Sequence, residues 1–511
     1  MMGTVSRRHL FALAGVGLVA SGCAPVAPTP SPSASAGGPP DWAALAGSVG
    51  GTLSRPGDAT YDTVRLTENP RWDTARPLAV LSAQTASDVA VAIAFAARYR
   101  VPIALRSGGH SYPGYSAGGA PGTGVKPSLV IDTRRMAQVE IAADNTVRVG
   151  AGASLAALYD AIGSKGRAIA GGSCATVGIA GLTLGGGVGV LVRAYGLTCD
   201  SLVGVEIVTA DGRVHSADAS TDPDLYWASR GGGGGHLGVV TALTFATRPA
   251  PDVTMFSLGW HFAEAAAVIR AWQDWAPTAD PKLWSTLKLL NGARYPTEPG
   301  VFVSGTWIGD PSELSGQLQP FLAEAGAPKS RGSSTHDYRD AMMIYAGCGS
   351  SPASACTTGS GGILTRESFA GTSHVPTTKL DAVGIQTVID TVMSAKSVPG
   401  MIEGGISLDA LGGAVQGIAA DATAFPHRDA LMTVQYTATF TDGTDADPPS
   451  RWVRGFRTAL IPQWGTAAYV NYADADIADP SASYFGANAE RLERIARRYD
   501  PQGLFTQPQP W

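Results

Sequence analysis

Three glycine-dense segments constrain this 511-residue chain more than any other feature: Arg106-Ser107-Gly108-Gly109-His110-Ser111-Tyr112, GGSCATVGIAGLTLGGGVG at 171–189, and GGGGGHLGVV at 231–240. Glycine reaches left-handed conformations at little cost and has no Cβ, so its N–H groups can approach phosphate oxygens closely. The segments therefore read as the cradle of a bulky phosphorylated ligand; the plainer reading makes them tight turns in a glycine-rich sheet. The dinucleotide fingerprint G-x-G-x-x-G, placed between a first strand and its helix with an acid about 20 residues on, is not met in that context. The 64 glycines follow no period of three, which excludes a collagen.

A chain of this length exceeds the roughly 250–300 residues at which one core stops growing, so at least two domains are expected. A net charge of -5 removes the broad positive field that nucleic-acid binding needs. The five cysteines form neither a disulfide scaffold nor a C-x-x-C or zinc pattern, and no metal site is expected. Residues 1–23 pair Arg7-Arg8 with an apolar stretch and end in Ala20-Ser21-Gly22-Cys23. They resemble a twin-arginine export signal followed by a lipobox, an ordinary secretory signal being the alternative. Residues 24–40 (APVAPTPSPSASAGGPP) are a Pro/Ser-rich tether unable to build a core. The expected product is a cell-surface lipoprotein or secreted protein, touching the membrane only through the lipid on Cys23.

The body mixes helices and strands, an α+β pattern. Pro77 to Leu105 reads as β-α-β, with a helix near 87–98. Residues 129–149 and 202–217 read as hairpins turning at Asp144-Asn145 and Asp211-Gly212. Leu155, Leu158 and Ile162 form one helical stripe with Ser154 as its cap. The glycine-dense pattern ends near Pro249, which divides the body into 41–250, 251–459 and a tail, 460–511, expected to return to the first part. The second part should carry strands near 300–307 and 430–440 among tryptophan-rich amphipathic helices. The tail should carry a strand in AAYVNYA and a helix in AERLERIARRYD stopped by Pro501.

The sequence RSGGHSY, the 171–189 segment with Cys174, Tyr195-Gly196, the 231–240 segment, and the C-terminal YVNYAD, YFGANAERL and YDPQGLF resemble the berberine-bridge-enzyme-like flavin oxidases of the vanillyl-alcohol-oxidase (PCMH-type) superfamily. The resemblance covers about residues 60–511. It implies a two-subdomain FAD-binding domain in 41–250, completed by 460–511, and a substrate domain in 251–459 with an antiparallel sheet covered by helices. It also implies bicovalent FAD, held by His110 at the 8α-methyl and by Cys174 at C6. Further flavin contacts are implied at Arg106, Ser107, Gly108, Gly109, Ser111, Tyr112, Thr176, Val177, Gly178, Gly181, Gly185, Gly187, Gly238, Val240 and Asn471. His236 stands where the family often has Asn.

The same resemblance implies that Tyr472 is the base taking a substrate hydroxyl proton, with Asp409 as its proton partner and Gln435 and Tyr436 lining the site. The expected reaction oxidises a hydroxyl of a carbohydrate or bulky secondary metabolite, with O2 as acceptor and H2O2 as product, by a monomer. A dehydrogenase using another acceptor and a non-catalytic surface flavin- or carbohydrate-binding protein are the alternatives. Trp260, Trp272, Trp275, Trp284 and Trp307 are sugar-stacking faces or, more in keeping with their helical setting, core. Cys348 and Cys356 can form a disulfide in an exported protein. Cys199 reads as a buried thiol and His427 as architectural.

Overall fold

A computed structural model describes residues 38–511; the expected export signal, Cys23 and most of the expected tether lie outside the described residues. Strands β1 (Thr52–Ser54), β2 (Ala79–Ser82), β3 (Ile103–Arg106) and β4 (Leu129–Asp132) form a sheet of order β1-β2-β4-β3. β4 runs parallel to both β2 and β3, while β1 is antiparallel to β2. The helix Ala86–Tyr99 supplies the crossover. It starts at a capping box, in which Asp88 N–H donates to the Thr85 hydroxyl and the Thr85 N–H donates to the Asp88 carboxylate.

A second sheet, order β5-β6-β10-β8-β9, comprises β5 (Val139–Ile141), β6 (Thr146–Gly150), β8 (Leu202–Val208), β9 (Val214–Ala217) and β10 (Val239–Ala246). Its pairings are all antiparallel, and the ribbon of β7 (Arg167–Ala168) with β11 (Arg248–Pro249) flanks it. The hairpin expected over 202–217 forms, whereas the one expected over 129–149 is confined to β5 and β6, since Leu129–Asp132 is β4 of the first sheet. The helix Leu155–Gly163 buries Leu155, Leu158 and Ile162, and the Ser154 hydroxyl accepts from Ala157 N–H. Such a cap contributes about 1 kcal/mol.

The third sheet is antiparallel, with seven strands in the order β15-β12-β14-β13-β17-β18-β16. They are β12 (Asp252–Trp260), β13 (Leu283–Asn291), β14 (Gly300–Trp307), β15 (Ser330–Asp337), β16 (Ser368–His374), β17 (Met401–Ala410) and β18 (Met432–Phe440). Strand side chains alternate between faces. Leu287, Leu289, Ile406, Leu408, Val434, Tyr436 and Ala438 point into a core shared with the helices Ala265–Trp275, Ala382–Ser394 and Asp447–Trp464. The intervening Thr286, Lys288, Ser407, Asp409, Thr433 and Gln435 share the opposite face. Trp260, Trp272 and Trp307 are fully buried, their indole N–H groups donating to Gly326 O, the Ser285 hydroxyl and Asp310 O. They are core rather than sugar-stacking surface.

The tail corrects one expectation. AAYVNYA forms a 3-10 turn, Val470–Tyr472, rather than a strand. Its N–H groups go to local and side-chain partners: Tyr469 N–H to the Ser373 hydroxyl, Tyr472 N–H to Tyr469 O. The helix Ala489–Tyr499 forms before Pro501. Cys348 and Cys356 are bonded to each other, and Cys199 is a buried free thiol.

Arg193, 1 % exposed, stitches the second sheet's region to the third sheet without any carboxylate. Its guanidinium donates to the carbonyls of Pro277 and Leu283, at 2.8 Å each, and to those of Ala279 and Leu411. Removing it strands four carbonyls, each costing about 1–3 kcal/mol when buried and unpaired. Arg193→Met is therefore expected to lower unfolding stability by at least ~3 kcal/mol in a urea titration; an unchanged midpoint would refute the role.

Candidate active site

β3 ends at Arg106, and the chain then turns through the first glycine segment. The Arg106 side chain is 2 % exposed. Its guanidinium donates to Ser116 O (3.0 Å), Val64 O (2.7 Å) and Arg65 O (3.1 Å) and pairs with Asp132 at 3.4 Å. The Arg106 guanidinium therefore holds the loop in place, while the residue itself lies on the wall of the cavity that the glycine loops enclose. The Ser107 hydroxyl donates to Ala151 O at 2.7 Å and fastens the turn to the residue just past β6.

The turn then meets the second glycine segment backbone to backbone. A Cβ on Gly108 would collide with Gly178 N and lie 2.6 Å from Thr176 O, and a Cβ on Gly178 would collide with the Ser107 hydroxyl and Gly108 N. Gly109 has φ +80°, a conformation that side-chain-bearing residues rarely adopt. No acceptor among the described residues takes the N–H groups of Gly108, Gly109, His110, Ser111 or Tyr112. Unpaired donors in a glycine turn form an anion-binding concavity.

These loops wall a cavity of about 810 Å³, closed by the start of β10, by Lys288 on β13 and by the tail turn. Ser107, Gly108, Gly109, His110, Ser111, Tyr112, Cys174, Thr176, Val177, Gly178, Gly181, His236, Gly238, Val240, Asn471 and Tyr472 all line it. Gly185 and Gly187 do not. A Cβ on Gly185 would strike the Asn471 amide, and one on Gly187 the Thr198 hydroxyl, while Gly187 N–H donates to the Tyr469 hydroxyl at 2.8 Å. Their lack of side chains serves packing beneath the cavity. Gly181 differs, since a Cβ there meets nothing within 4 Å.

Two buried hydroxyls on the wall, Tyr115 Oη and Ser116 Oγ, have no hydrogen-bond partner among the described residues. A volume inside the roughly 300–1,000 Å³ range of cofactor sites, free N–H groups for phosphate oxygens and orphaned hydroxyls for further polar atoms together fit an elongated phosphorylated cofactor. His236 stacks on Trp511 with ring centroids 4.4 Å apart. Burial pushes its pKa down to about 4, so the imidazole is neutral at neutral pH.

His110 and Cys174 face this cavity from the two apposed loops. His110 Nε2 lies 2.8 Å from the Thr176 hydroxyl and 4.0 Å from the Glu68 carboxylate. Burial lowers the His110 pKa to about 4 and leaves a neutral, nucleophilic ring. Cys174 is open to the cleft, yet the surrounding protein raises its thiol pKa and the Lys288 charge pulls it back.

Opposite stands the polar face of the third sheet. Register places Asp409 across from Thr286 and Thr433, and Gln435 across from Ser407, which pairs in turn with Lys288. Gln435 Nε2 donates to the Tyr112 hydroxyl, and the Tyr112 ring stacks on Tyr472 at 5.6 Å with 13° between planes. Gln435 thus reaches Tyr472 through Tyr112. Tyr436 points to the other side of the sheet, where its hydroxyl meets His374 Nδ1 at 2.8 Å in the core. It does not line the site, because adjacent strand residues face opposite ways. His427 Nε2 lies 3.0 Å from Tyr484 O and ties the loop before β18 to the tail.

The sequence alone does not single out Glu68, Lys288 or Tyr469. Glu68 and Lys288 line the cavity, and the Tyr469 hydroxyl accepts from the Gly187 and Val188 N–H groups at 2.8 and 3.2 Å. Only Tyr469 has a sequence signal, its place in YVNYAD.

Residues 77–218 match an FAD binding domain family, and 468–510 match the family described as berberine and berberine like. The chain is 33% identical over 435 residues to an uncharacterized FAD-linked oxidoreductase of Bacillus subtilis, covering 84% of this chain and 90% of that one. It is 28% identical to the chitooligosaccharide oxidase of Gibberella zeae, over 85% of this chain and 87% of the relative. Among solved structures, Physcomitrella patens BBE-like 1 superposes with a TM-score of 0.82 at 28% identity, covering 92% of this chain and 98% of the other.

The contact between the glycine loops generates one expectation. Gly178→Ala should fold but bind less than half the wild-type flavin, read as visible flavin absorbance per protein; full flavin content would contradict the packing account.

Proposed function

Because the chain belongs to the berberine-bridge-enzyme-like FAD-linked oxidoreductases of the vanillyl-alcohol-oxidase/PCMH superfamily, we propose that it oxidises a hydroxyl group of an oligosaccharide or bulky secondary metabolite, with dioxygen as acceptor and hydrogen peroxide as product. The observation that carries the reading is Tyr472 on the wall of the cavity that His110 and Cys174 line, with the Asp409 charge acting on its phenol. Similarity to a chitooligosaccharide oxidase supports the carbohydrate class. Bound FAD supplies the two-electron acceptor for the hydride leaving the substrate carbon. His110 and Cys174 are the two covalent attachment points in this reading, a neutral imidazole and a cleft-exposed thiol on the same cavity wall. The protein is exported by the twin-arginine route and anchored through Cys23; the Cys348–Cys356 disulfide suits an oxidising compartment.

Tyr472 holds its proton tightly. Burial raises its pKa well above the usual phenol value, and the nearby Asp409 charge raises it further. A standing phenolate is therefore not the base. Tyr472 takes the substrate hydroxyl proton while passing its own to Asp409. That carboxyl is itself raised above the usual range by burial, against the opposing pull of Thr286 and the Lys288 charge, which suits it to receive a proton. Gln435 holds Tyr112, and Tyr112 holds the Tyr472 ring by stacking.

Tyr472→Phe should retain flavin but slow anaerobic flavin reduction by roughly 10²–10⁴-fold in stopped flow, the span general-base catalysis supplies. Near-normal reduction would remove the tyrosine from that role. The relay needs ionised Asp409, so activity is present above its folded pKa and lost as pH falls through it. The acid limb of kcat/KM should therefore lie above the ordinary aspartate value of about 3.9 and vanish in Asp409→Asn. An acid limb unchanged in that variant would assign it to another group.

A further inference from the structure

The oxidation of substrate leaves Glu68 without a part. Its carboxylate lies on the cavity wall, 18 % exposed, with Oε2 4.0 Å from His110 Nε2 and 3.1 Å from the Thr358 hydroxyl that donates to it. No lysine or arginine lies within ion-pair distance of it among the described residues; the guanidinium charges acting on it, those of Arg366 and Arg134, are paired with Asp73 and Asp132. Burial raises its pKa, which makes it a better proton acceptor than an exposed glutamate. The backbone fixes the geometry, since Glu68 N–H donates to Gly109 O at 3.2 Å, one residue before the histidine.

His110 is bonded from one side only. With Nε2 turned to the Thr176 hydroxyl at 2.8 Å, Nδ1 is the nitrogen left to react. Bond formation at Nδ1 makes the ring cationic unless Nε2 gives up its proton, and this buried site disfavours a charged imidazole strongly.

We propose that Glu68, together with the Thr176 hydroxyl, accepts the Nε2 proton of His110 and so drives attachment of His110 Nδ1 to the flavin methyl carbon. The inference rests on the reading of His110 as an attachment point. A C–N bond forms as one C–H bond of the methyl breaks, and the two electrons of that C–H bond stay on the ring system. The methyl proton and the Nε2 proton, the latter passed to Glu68, balance those electrons. Dioxygen then accepts both electrons and both protons as hydrogen peroxide and restores the oxidised ring. Glu68 touches the reacting histidine rather than the substrate.

Cys174→Ala isolates the histidine link, and the readout is the mass of the denatured chain with and without attached flavin. That variant should keep its flavin on denaturation; complete release would overturn the attachment reading itself. In Cys174→Ala/Glu68→Gln the native protein should still bind flavin, but attachment should slow at least tenfold and accelerate as pH rises. Formate added to Cys174→Ala/Glu68→Ala should restore attachment, which a purely structural role would not allow. Attachment at the same rate in the glutamine variant, or loss of native flavin binding with no response to formate or pH, would overturn the role of Glu68.

Discussion

Everything at the candidate site depends on two backbones being allowed to touch. The turn after β3 and the turn before the helix Ile179–Leu184 meet at Gly108 and Gly178, where either Cβ would enter the other chain segment. The first turn carries His110 and the second carries Cys174 and Thr176, so this contact fixes the spacing between His110 and Cys174 and brings the His110 ring to the Thr176 hydroxyl. Arg106 and Asp132 reinforce it from beneath. They spend a buried ion pair and three carbonyl contacts on holding the loop, so its own N–H groups stay free.

The substrate side obeys a different rule, the two-residue period of strands. On β17 and β18 it sorts Leu408 from Asp409 and Tyr436 from Gln435, sending one of each pair to the core and the other to the opposite, polar face. A one-residue slip in register would exchange these roles. Arg193, by joining four carbonyls of the substrate half, keeps that polar face opposite the glycine loops.

Much of this is legible in the sequence, for physical reasons that also mark where reading fails. Glycine clusters report close approach whatever approaches, so they locate the cavity wall but do not separate Gly108 and Gly178 from Gly185 and Gly187, which serve packing below it. Arg106 lies on the cavity wall, but its guanidinium is taken up by scaffold carbonyls and Asp132. Tyr436 reads as lining the site beside Gln435, but adjacent strand residues face opposite ways and it enters the core. AAYVNYA has the composition of a strand, but its donors are taken by Ser373 and by a local turn. Glu68 and Lys288 are single charged residues in segments without pattern, and only the fold brings them to the cavity.

The central claim is that this cavity holds FAD beside a hydroxyl-bearing carbohydrate or natural product and reduces it through Tyr472 and Asp409. Its most direct test is anaerobic mixing of the purified protein with a panel of oligosaccharides and phenolic or terpenoid alcohols while the yellow flavin band is followed. The account predicts that at least one oligosaccharide or bulky alcohol bleaches the band and that admitting oxygen restores it with release of hydrogen peroxide. A flavin that dithionite bleaches but no member of the panel does would contradict it.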